Sequence, residues 1–206
     1  MQLSILICSL NSRIEMRKQM LFVLITSLAE CKHEIIQNDN YTIERYFNED
    51  LEVIICTDDK QMVVGAKRNL LIALSSGEWV VFLDDDDRIE SNYKSELLEA
   101  INSEADIITF YVSVSLNGQP AKLCYYSKSF ANDYNDSTSY YRLPNHLMCV
   151  KRSLAIQVPF VELNFGEDAD YAKRLKPLLK SEYEINKVLY HYDFNINTTE
   201  TQNRNR

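Results

Sequence analysis

Short, almost continuously apolar runs alternate with amphipathic stretches along the first half of the chain. Residues 3–10, 51–56 and 79–83 have the pattern of strands buried on both faces. Ser12 and Glu15 form a capping-box pattern that predicts a helix after the first run. The inward positions of that helix are Ile14, Leu21, Leu24, Ile25 and Leu28. This alternation predicts strands and helices in turn, as in an α/β protein.

The same alternation continues toward the middle of the chain. A helix follows Gly65 and ends at a Ser-Gly pair, 91–102 predict another helix, and 105–114 predict a fourth strand. Residues 31–50 are polar and mixed, and predict a loop or a short helix. Parallel strands joined by such helices predict a mostly parallel, Rossmann-like sheet flanked by helices.

The pattern changes after the fourth strand. The Asn117-Gly118 pair is a hairpin turn signal, so 112–126 should fold back as a small antiparallel segment. The remaining predictions are a long surface loop over 127–145, a strand over 146–151, a helix over 168–180 interrupted at Pro177, and a strand over 185–194. We expect one domain over 1–194 and a frayed tail over 195–206.

Composition narrows the functional classes. The chain has 206 residues, of which 46% are hydrophobic and 25% charged, enough for one packed core. A net charge of −8 without a basic patch disfavours nucleic acid as a partner. The longest apolar run, 20–25, is far shorter than the ~20 residues of a membrane span, so no integral membrane segment is predicted. Five scattered cysteines and the absence of a signal-peptide pattern predict a cytoplasmic protein with reduced thiols.

Four consecutive aspartates, Asp84 to Asp87, follow the apolar run 79–83 directly. In an open α/β sheet, ligands bind beyond the carboxyl ends of the strands. Adjacent carboxylates repel each other, and a divalent cation removes that repulsion, so the run predicts Mg²⁺ or Mn²⁺. The alternative is an exposed acidic turn that caps the next helix. Asp58 and Asp59 end the preceding strand and should lie on the same rim.

Other candidate residues are less specific. Glu167 and Asp168 open a helix, and in isolation this pattern indicates helix capping by Asp168. His146 precedes a strand and is expected on the acceptor side, whereas His33 is expected at the surface. A group of tyrosines could be an acceptor platform or ordinary packing. Its members are Tyr125, Tyr126, Tyr134, Tyr140 and Tyr141.

Four segments in order resemble the family-2-type glycosyltransferases of the GT-A fold. They are SILICSLNSR, VIICTDD, GAKRNLLIALSSGEWVVFLDDDD and GEDADYAKRL, and the resemblance covers roughly residues 1–192. It implies a GT-A-like fold and a metal-dependent transfer of sugar from a nucleotide-diphosphate sugar, with UDP-sugar expected, to a saccharide or other hydroxyl acceptor. One in-line displacement implies inversion at the sugar carbon.

The resemblance also implies roles for individual residues. The first strand and its turn, with Ser9, Asn11 and Arg13, would cradle the nucleotide. Asp58 or Asp59 would contact the nucleobase, and Lys67 and Arg68, supported by Asn69, would lie near the nucleotide. Asp84 and Asp85 would contact the ribose or the metal, and Asp84, Asp86 and the late His191 would hold Mn²⁺ or Mg²⁺. Asp168 would be the general base, with Glu167 beside it. The four-aspartate run leaves the register of the metal ligands open by one residue.

Two other classes of function compete with glycosyl transfer. An aspartate-based phosphatase needs carboxylates after the first strand, where Ser9 to Asn11 offer none, and a sugar nucleotidyltransferase needs a Gly-rich opening loop. A phospho-receiver domain would give the Glu167-Asp168 pair no role. The second class is a non-catalytic nucleotide-sugar-binding module that partners another transferase. The chain has Cys8-Ser9-Leu10 where the family has a proline, and Lys60-Gln61 after the second-strand aspartates, so this alternative stays open.

Overall fold

The computed structural model describes residues 1–26 and 30–195, and within them the strands form one mixed sheet. The strands are β1 (Leu3–Leu10), β2 (Lys32–Gln37), β3 (Thr42–Phe47), β4 (Leu51–Asp58), β5 (Trp79–Asp84), β6 (Arg88–Ile89), β7 (Ile107–Leu116), β8 (Lys122–Tyr126), β9 (Tyr134–Asn135), β10 (Ser139–Arg142), β11 (Cys149–Lys151) and β12 (Glu182–Phe194). The helices are α1 (Ile14–Ile25), α2 (Val64–Leu74), α3 (Tyr93–Ala100), α4 (Arg152–Ala155) and α5 (Glu167–Leu175).

The centre of the sheet is parallel. The whole sheet has the strand order β2-β3-β4-β1-β5-β11-β7-β8-β10-β9, with β12 beside β7 and β6 beside β12. β1 pairs in parallel with β4 and with β5, and its register places Leu10 opposite Asp58 and Cys8 opposite Asp84. The polar residues that follow the three apolar runs therefore meet on one edge of the sheet. This arrangement confirms the predicted α/β fold with flanking helices.

Antiparallel pairs flank this centre and are more extensive than the sequence predicted. The prediction of a loop or short helix over 31–50 is wrong, because β2 and β3 form a hairpin that pairs antiparallel with β4. Every residue of β2 is exposed, so this edge strand carries no burial pattern. The predicted loop over 127–145 also contains two short strands, of which β10 runs parallel to β8.

The entry into α1 differs from the predicted capping box. Asn11–Arg13 forms a 3₁₀ turn, and α1 begins at Ile14 without a side-chain cap. Ile14 is 38% exposed, and the buried positions of the helix are Arg17, Met20 and Leu24. Arg17 faces inward because it donates to Ser9 Oγ (2.8 Å) and Thr57 Oγ1 (2.6 Å). The predicted inward Leu28 lies outside the described residues.

The later elements follow the predicted pattern closely. Asn117 and Gly118 both have positive φ, 51° and 74°, and join β7 to the antiparallel β8 as predicted. α5 ends at Leu175, and a 3₁₀ turn over Lys176–Leu178 holds Pro177. Within residues 1–26 and 30–195, no helix has the length and apolar character needed to cross a bilayer. The single domain over 1–194 stays a prediction, and the predicted tail lies outside the described residues from 196 onward.

Candidate active site

A cavity of about 820 Å³ opens at the carboxyl ends of β1 and β5. The first turn of α2 closes one side, the β7–β8 hairpin closes another, and the amino-terminal turn of α5 closes a third. Nine of the predicted site residues line it: Ser9, Arg13, Lys67, Arg68, Asp84, Asp85, Asp86, Glu167 and Asp168. The fold thus brings together two acidic motifs that are about 80 positions apart in the sequence.

Asp85 ties the four-aspartate run to the first turn of the chain. Its Oδ2 accepts from Ser9 Oγ (2.9 Å) and the Leu10 amide (3.1 Å), and its Oδ1 accepts from Arg13 Nη1 (2.9 Å). Arg13 Nη1 also lies 3.1 Å from Asp86 Oδ2. Asp85 is buried, so its carboxylate shapes the floor of the cavity.

Asp84 has a nitrogen-bearing side chain close to each of its carboxylate oxygens. Arg68 Nη2 lies 3.3 Å from Oδ1, and His146 Nε2 lies 3.3 Å from Oδ2. Burial by itself raises the pKa of Asp84, but the charge and hydrogen bond of His146, with Arg68 and Arg13, outweigh it and hold that pKa well below its usual range. The side chain keeps about a third of its surface open, so Asp84 presents an ionised carboxylate to the cavity.

Asp86 and Asp87 are poorly compensated by comparison. Burial, followed by repulsion from Asp84 and Asp85, raises the pKa of Asp86 to about 6 despite the attraction of Arg13. Asp87 is buried and accepts from the Tyr190 hydroxyl (2.6 Å), yet burial and the charge of Asp84 raise its pKa well above its ordinary value. Asp86 therefore faces the cavity with negative charge that only Arg13 offsets among the described ion pairs.

Arg68 links the aspartate rim to α5. Its guanidinium is buried, 3.3 Å from Asp84 Oδ1 and 3.5 Å from Glu167 Oε1. The rings of Phe82 and Phe160 each lie 5.4 Å from its central carbon. Burial by itself lowers the pKa of Arg68, but the charge of Asp84 and other acidic neighbours raises it above its ordinary value. This position makes Arg68 an internal connection between the two acidic motifs.

The first turn of α5 carries the second acidic motif. Gly166 has a φ of 81°, which favours glycine, and α5 starts directly after it. Glu167 turns inward toward Arg68, and its burial, followed by the charge of Asp168, raises its pKa. Asp168 is half-buried on the cavity wall, where its Oδ1 accepts from the Ala169 amide (2.8 Å). Asp168 is thus the carboxylate of this motif that reaches the cavity most openly.

Lys67 lies on the cavity wall but points into the protein. Its Nζ donates to the Ser9 carbonyl (2.9 Å) and pairs with the buried Asp58. Asp58 also accepts from the amides of Lys60 (3.1 Å) and Met62 (2.8 Å), so its carboxylate builds the turn after β4. Asp59 is exposed outside the cavity. The structure therefore places neither aspartate in the cavity wall, in contrast to the expected nucleobase contact.

Two other predicted nucleotide-binding residues also lie off the cavity wall. Asn11 is exposed at the start of the 3₁₀ turn. Asn69 donates to the Phe160 carbonyl (2.9 Å) and accepts from the Phe160 amide (2.8 Å). Asn69 therefore fixes the segment that precedes α5, which supports the cavity without lining it.

His146 lines the cavity and His191 does not. His191 Nε2 lies 2.7 Å from Glu90 Oε1, and His191 is not among the residues that line the cavity. Strand alternation explains this, because Tyr190 bonds to Asp87 and Tyr192 lines the cavity, so His191 between them faces the other side. His146 approaches the aspartates instead. Nothing in its local sequence pairs it with Asp84, which is 62 positions away.

Strand alternation also divides the predicted tyrosine platform. Tyr126 and Tyr140 line the cavity, whereas Tyr125, Tyr134 and Tyr141 stack on one another on the opposite side. Sequence analysis missed Tyr190 and Tyr192 of β12, although their spacing of two in a final strand signals a shared face.

The chemistry of the rim fits a hard divalent cation. Within residues 1–26 and 30–195, no three His, Cys, Asp or Glu side chains converge to hold a metal by themselves. Mg²⁺ and related ions commonly use only one or two protein carboxylates and take their other ligands from substrate phosphates and water. Asp84 and Asp86 supply two carboxylates on the cavity wall, and the raised pKa of Asp86 marks charge that a cation would offset.

Comparisons with known proteins identify a family profile and a shared fold. Residues 4–154 match the sequence profile described as "Glycosyl transferase family 2". The fold matches S. aureus TarS at a TM-score of 0.64 and 15% identity, over 95% of this chain and 37% of that one. It matches TarS 1–349 in complex with UDP-GlcNAc at a TM-score of 0.66 and 14% identity, over 100% of this chain and 62% of that one. A197 from STIV matches at a TM-score of 0.52 and 15% identity, over 95% of this chain and 87% of that one.

These structural likenesses, at such low identities, show a shared fold. The chain spans 37% of the TarS chain and 62% of the TarS 1–349 fragment. A search of curated protein sequences finds no match.

Proposed function

This chain belongs to glycosyl transferase family 2, and we propose that it moves a sugar from a nucleoside-diphosphate sugar to an acceptor hydroxyl. The observation that carries the proposal is the convergence of two acidic motifs on one cavity, with Asp84 and Asp86 on one wall and Asp168 on another. Such a transfer needs positive charge near the diphosphate and a base near the acceptor. The first motif would supply the positive charge through a bound cation, and Asp168 of the second motif would supply the base.

A divalent cation, Mn²⁺ or Mg²⁺, is part of this proposal. Asp84 and Asp86 would hold it, because both present carboxylate oxygens to the cavity. Bound there, the cation would offset the charge that develops on the leaving diphosphate. Arg13 lies 2.9 Å from Asp85 and 3.1 Å from Asp86, and adds a fixed positive group to the same wall.

Asp168 is the proposed general base. The Ala169 amide donates to its Oδ1 (2.8 Å), and the side chain lines the cavity. It would take the proton of the acceptor hydroxyl as that oxygen attacks the anomeric carbon. The bond to the diphosphate oxygen breaks as the new bond forms, so a single displacement inverts the carbon.

We propose a uridine diphosphate sugar as the donor. TarS 1–349 has been solved in complex with UDP-GlcNAc and with UDP. These two structures share the fold of this chain over 100% and 95% of its residues. Asp58 and Asp59 lie off the cavity wall. Lys60 and Met62 line the cavity after β4, so these two side chains are the ones available there to the uracil of the donor.

Asp168→Asn tests the proposal most directly. We expect a fall of about 100- to 10,000-fold in turnover, because a general base contributes about that factor. The dissociation constant for UDP with Mn²⁺ should change less than about threefold. The measurements are release of UDP from UDP-sugars and calorimetric titration with UDP. Asp170→Asn is the matched control, since Asp170 sits in the same helix but pairs with Arg174 away from the cavity.

The outcomes separate the alternatives. Full turnover by Asp168→Asn would contradict the assigned base. Wild-type protein that binds UDP with Mn²⁺, but releases none from any UDP-sugar, would instead identify a non-catalytic nucleotide-sugar-binding module.

A further inference from the structure

One wall of the cavity is apolar, in contrast to the charged rim. Val112, Val114 and Leu116 of β7 line it at every second position. Val112 is buried, Val114 is half-buried, and Leu116 is 39% exposed near the hairpin tip. At about 3.3 Å per residue the three side chains form a stripe roughly 13 Å long. The stripe runs from the interior of the cavity to its mouth.

The residues that alternate with the three aliphatic positions of β7 face the other side of the sheet. Tyr111 faces the other side of the sheet, where its hydroxyl bonds to Glu184 Oε1 (3.0 Å) and Asn186 Oδ1 (2.8 Å). The polar positions of the strand are thus turned away from the cavity, and the aliphatic positions are turned toward it. Leu116 remains partly exposed even though its strand is well paired.

Tyrosines join this stripe to the proposed base. Tyr126 and Tyr192 both line the cavity. Tyr192 of β12 lies opposite Val114 of β7, and Tyr126 belongs to β8, which also pairs with β7. The apolar stripe, the two tyrosines and Asp168 therefore line one cavity, in which an acceptor hydroxyl must reach Asp168.

We infer that this wall binds the hydrocarbon part of the acceptor, so that the acceptor is an amphipathic molecule with an alkyl chain next to its hydroxyl-bearing group. Valine and leucine side chains cannot accept or donate hydrogen bonds, and sugar hydroxyls pressed against them would lose their water without replacement. A hydrocarbon chain gains about fourfold in affinity for each methylene buried, about 0.8 kcal/mol. This inference rests on the proposed transferase function and adds the class of acceptor to it.

The test compares methyl and octyl β-glucoside, below micellar concentrations, by calorimetric titration without donor. We expect octyl glucoside to bind the wild-type protein at least tenfold more tightly, which burial of about two of its additional methylenes would supply. The double variant Val114→Thr with Leu116→Ser should reduce this ratio below about threefold. Ile156→Ser is the matched control, because Ile156 is 53% exposed and lies off the cavity.

Separate outcomes test the two proposals. Equal binding of the two glucosides by the wild-type protein would overturn the inference, and so would an unchanged ratio in the double variant. If the double variant does not fold, Leu116→Ser alone provides the same comparison at a partly exposed position. Binding of UDP with Mn²⁺ is measured on the same samples. If the protein binds UDP but binds the two glucosides equally, the inference about the apolar wall is wrong and the transferase proposal stands. If it prefers octyl glucoside but does not bind UDP, the transferase proposal is wrong, and so is the acceptor assigned to this wall.

Discussion

Glu167 is a buried carboxylate whose surroundings disfavour its charge. Burial and the charge of Asp168 raise its pKa, although Arg68 opposes them from 3.5 Å. A carboxyl group whose pKa is raised in the folded state contributes stability that is fully present below its unfolded pKa, about 4.3. That contribution is lost as pH rises through the folded-state pKa. Ionisation of Glu167 in the folded protein therefore costs stability.

Glu167→Gln should remove this pH-dependent cost. We expect the melting temperature of the variant, relative to that of the wild-type protein, to be higher at pH 8 than at pH 4. The measurement is thermal unfolding across that range, with Glu162→Gln as a control at an exposed position before α5. A difference that runs in the opposite direction would show that the ion pair with Arg68 dominates over burial.

Individual side chains of the site were only partly predictable from the sequence. Asp84 and Asp86 follow a buried strand, and that local signal placed them on the ligand-binding edge. The partners of Asp84 could not be found in this way, because Arg68 and His146 reach it from separate segments. Asp58 also ends a buried strand, but its carboxylate accepts from the amides of Lys60 and Met62 and so closes the turn after β4.

At the scale of elements, strands buried on both faces were the most predictable. β1 was predicted over its full observed range, because burial on both sides requires an unbroken apolar run. β2 was missed because all its residues are exposed, so burial imposed no pattern on its sequence. β10 was missed for a related reason: it has four residues, and its pairing with β8 is long-range.

α2 depends on a close approach of backbone that only glycine permits. The Gly65 amide donates to the Leu163 carbonyl (3.0 Å), and a Cβ at this position would lie 2.0 Å from the Val161 carbonyl oxygen. Because that oxygen belongs to backbone, a methyl group forces the helix away from the segment before α5. Lys67 and Arg68 lie in the displaced turn, so the site should be disturbed together with the packing.

Gly65→Ala is therefore expected to lower the free energy of unfolding by about 1–3 kcal/mol, the usual range for overpacking, and to weaken UDP binding. Urea unfolding and calorimetric titration would measure the two effects. Ala73→Ser, on the exposed side of the same helix, should cost about 0.5 kcal/mol, the difference in helix propensity, and leave UDP binding unchanged. Unaltered stability in Gly65→Ala would mean that α2 can move without cost.

At the scale of the whole molecule, the cavity joins segments that are distant in sequence, so ligand binding should stabilise the entire fold. β1, β5, α2, the β7–β8 hairpin and α5 all contribute to its wall. A ligand that binds only the folded state adds about 2.7 kcal/mol at a concentration 100 times its dissociation constant. For a chain of 206 residues this raises the melting temperature by roughly 5–10 °C.

The size of this shift should depend on metal and nucleotide together. Within the part of the chain that the structure describes, no three acidic or histidine side chains converge on one metal position, so a divalent cation alone should bind weakly. UDP without a cation should meet the acidic rim of Asp84 and Asp86. We expect the full shift only with UDP and Mn²⁺ combined. Asp86→Ala should lose the cation-dependent part, while Asp170→Asn, whose aspartate pairs with Arg174 outside the cavity, should retain it. An equal shift with UDP in the presence of a chelator would show that the rim needs no cation, because Arg13 and Arg68 alone would then suffice to offset the diphosphate charge.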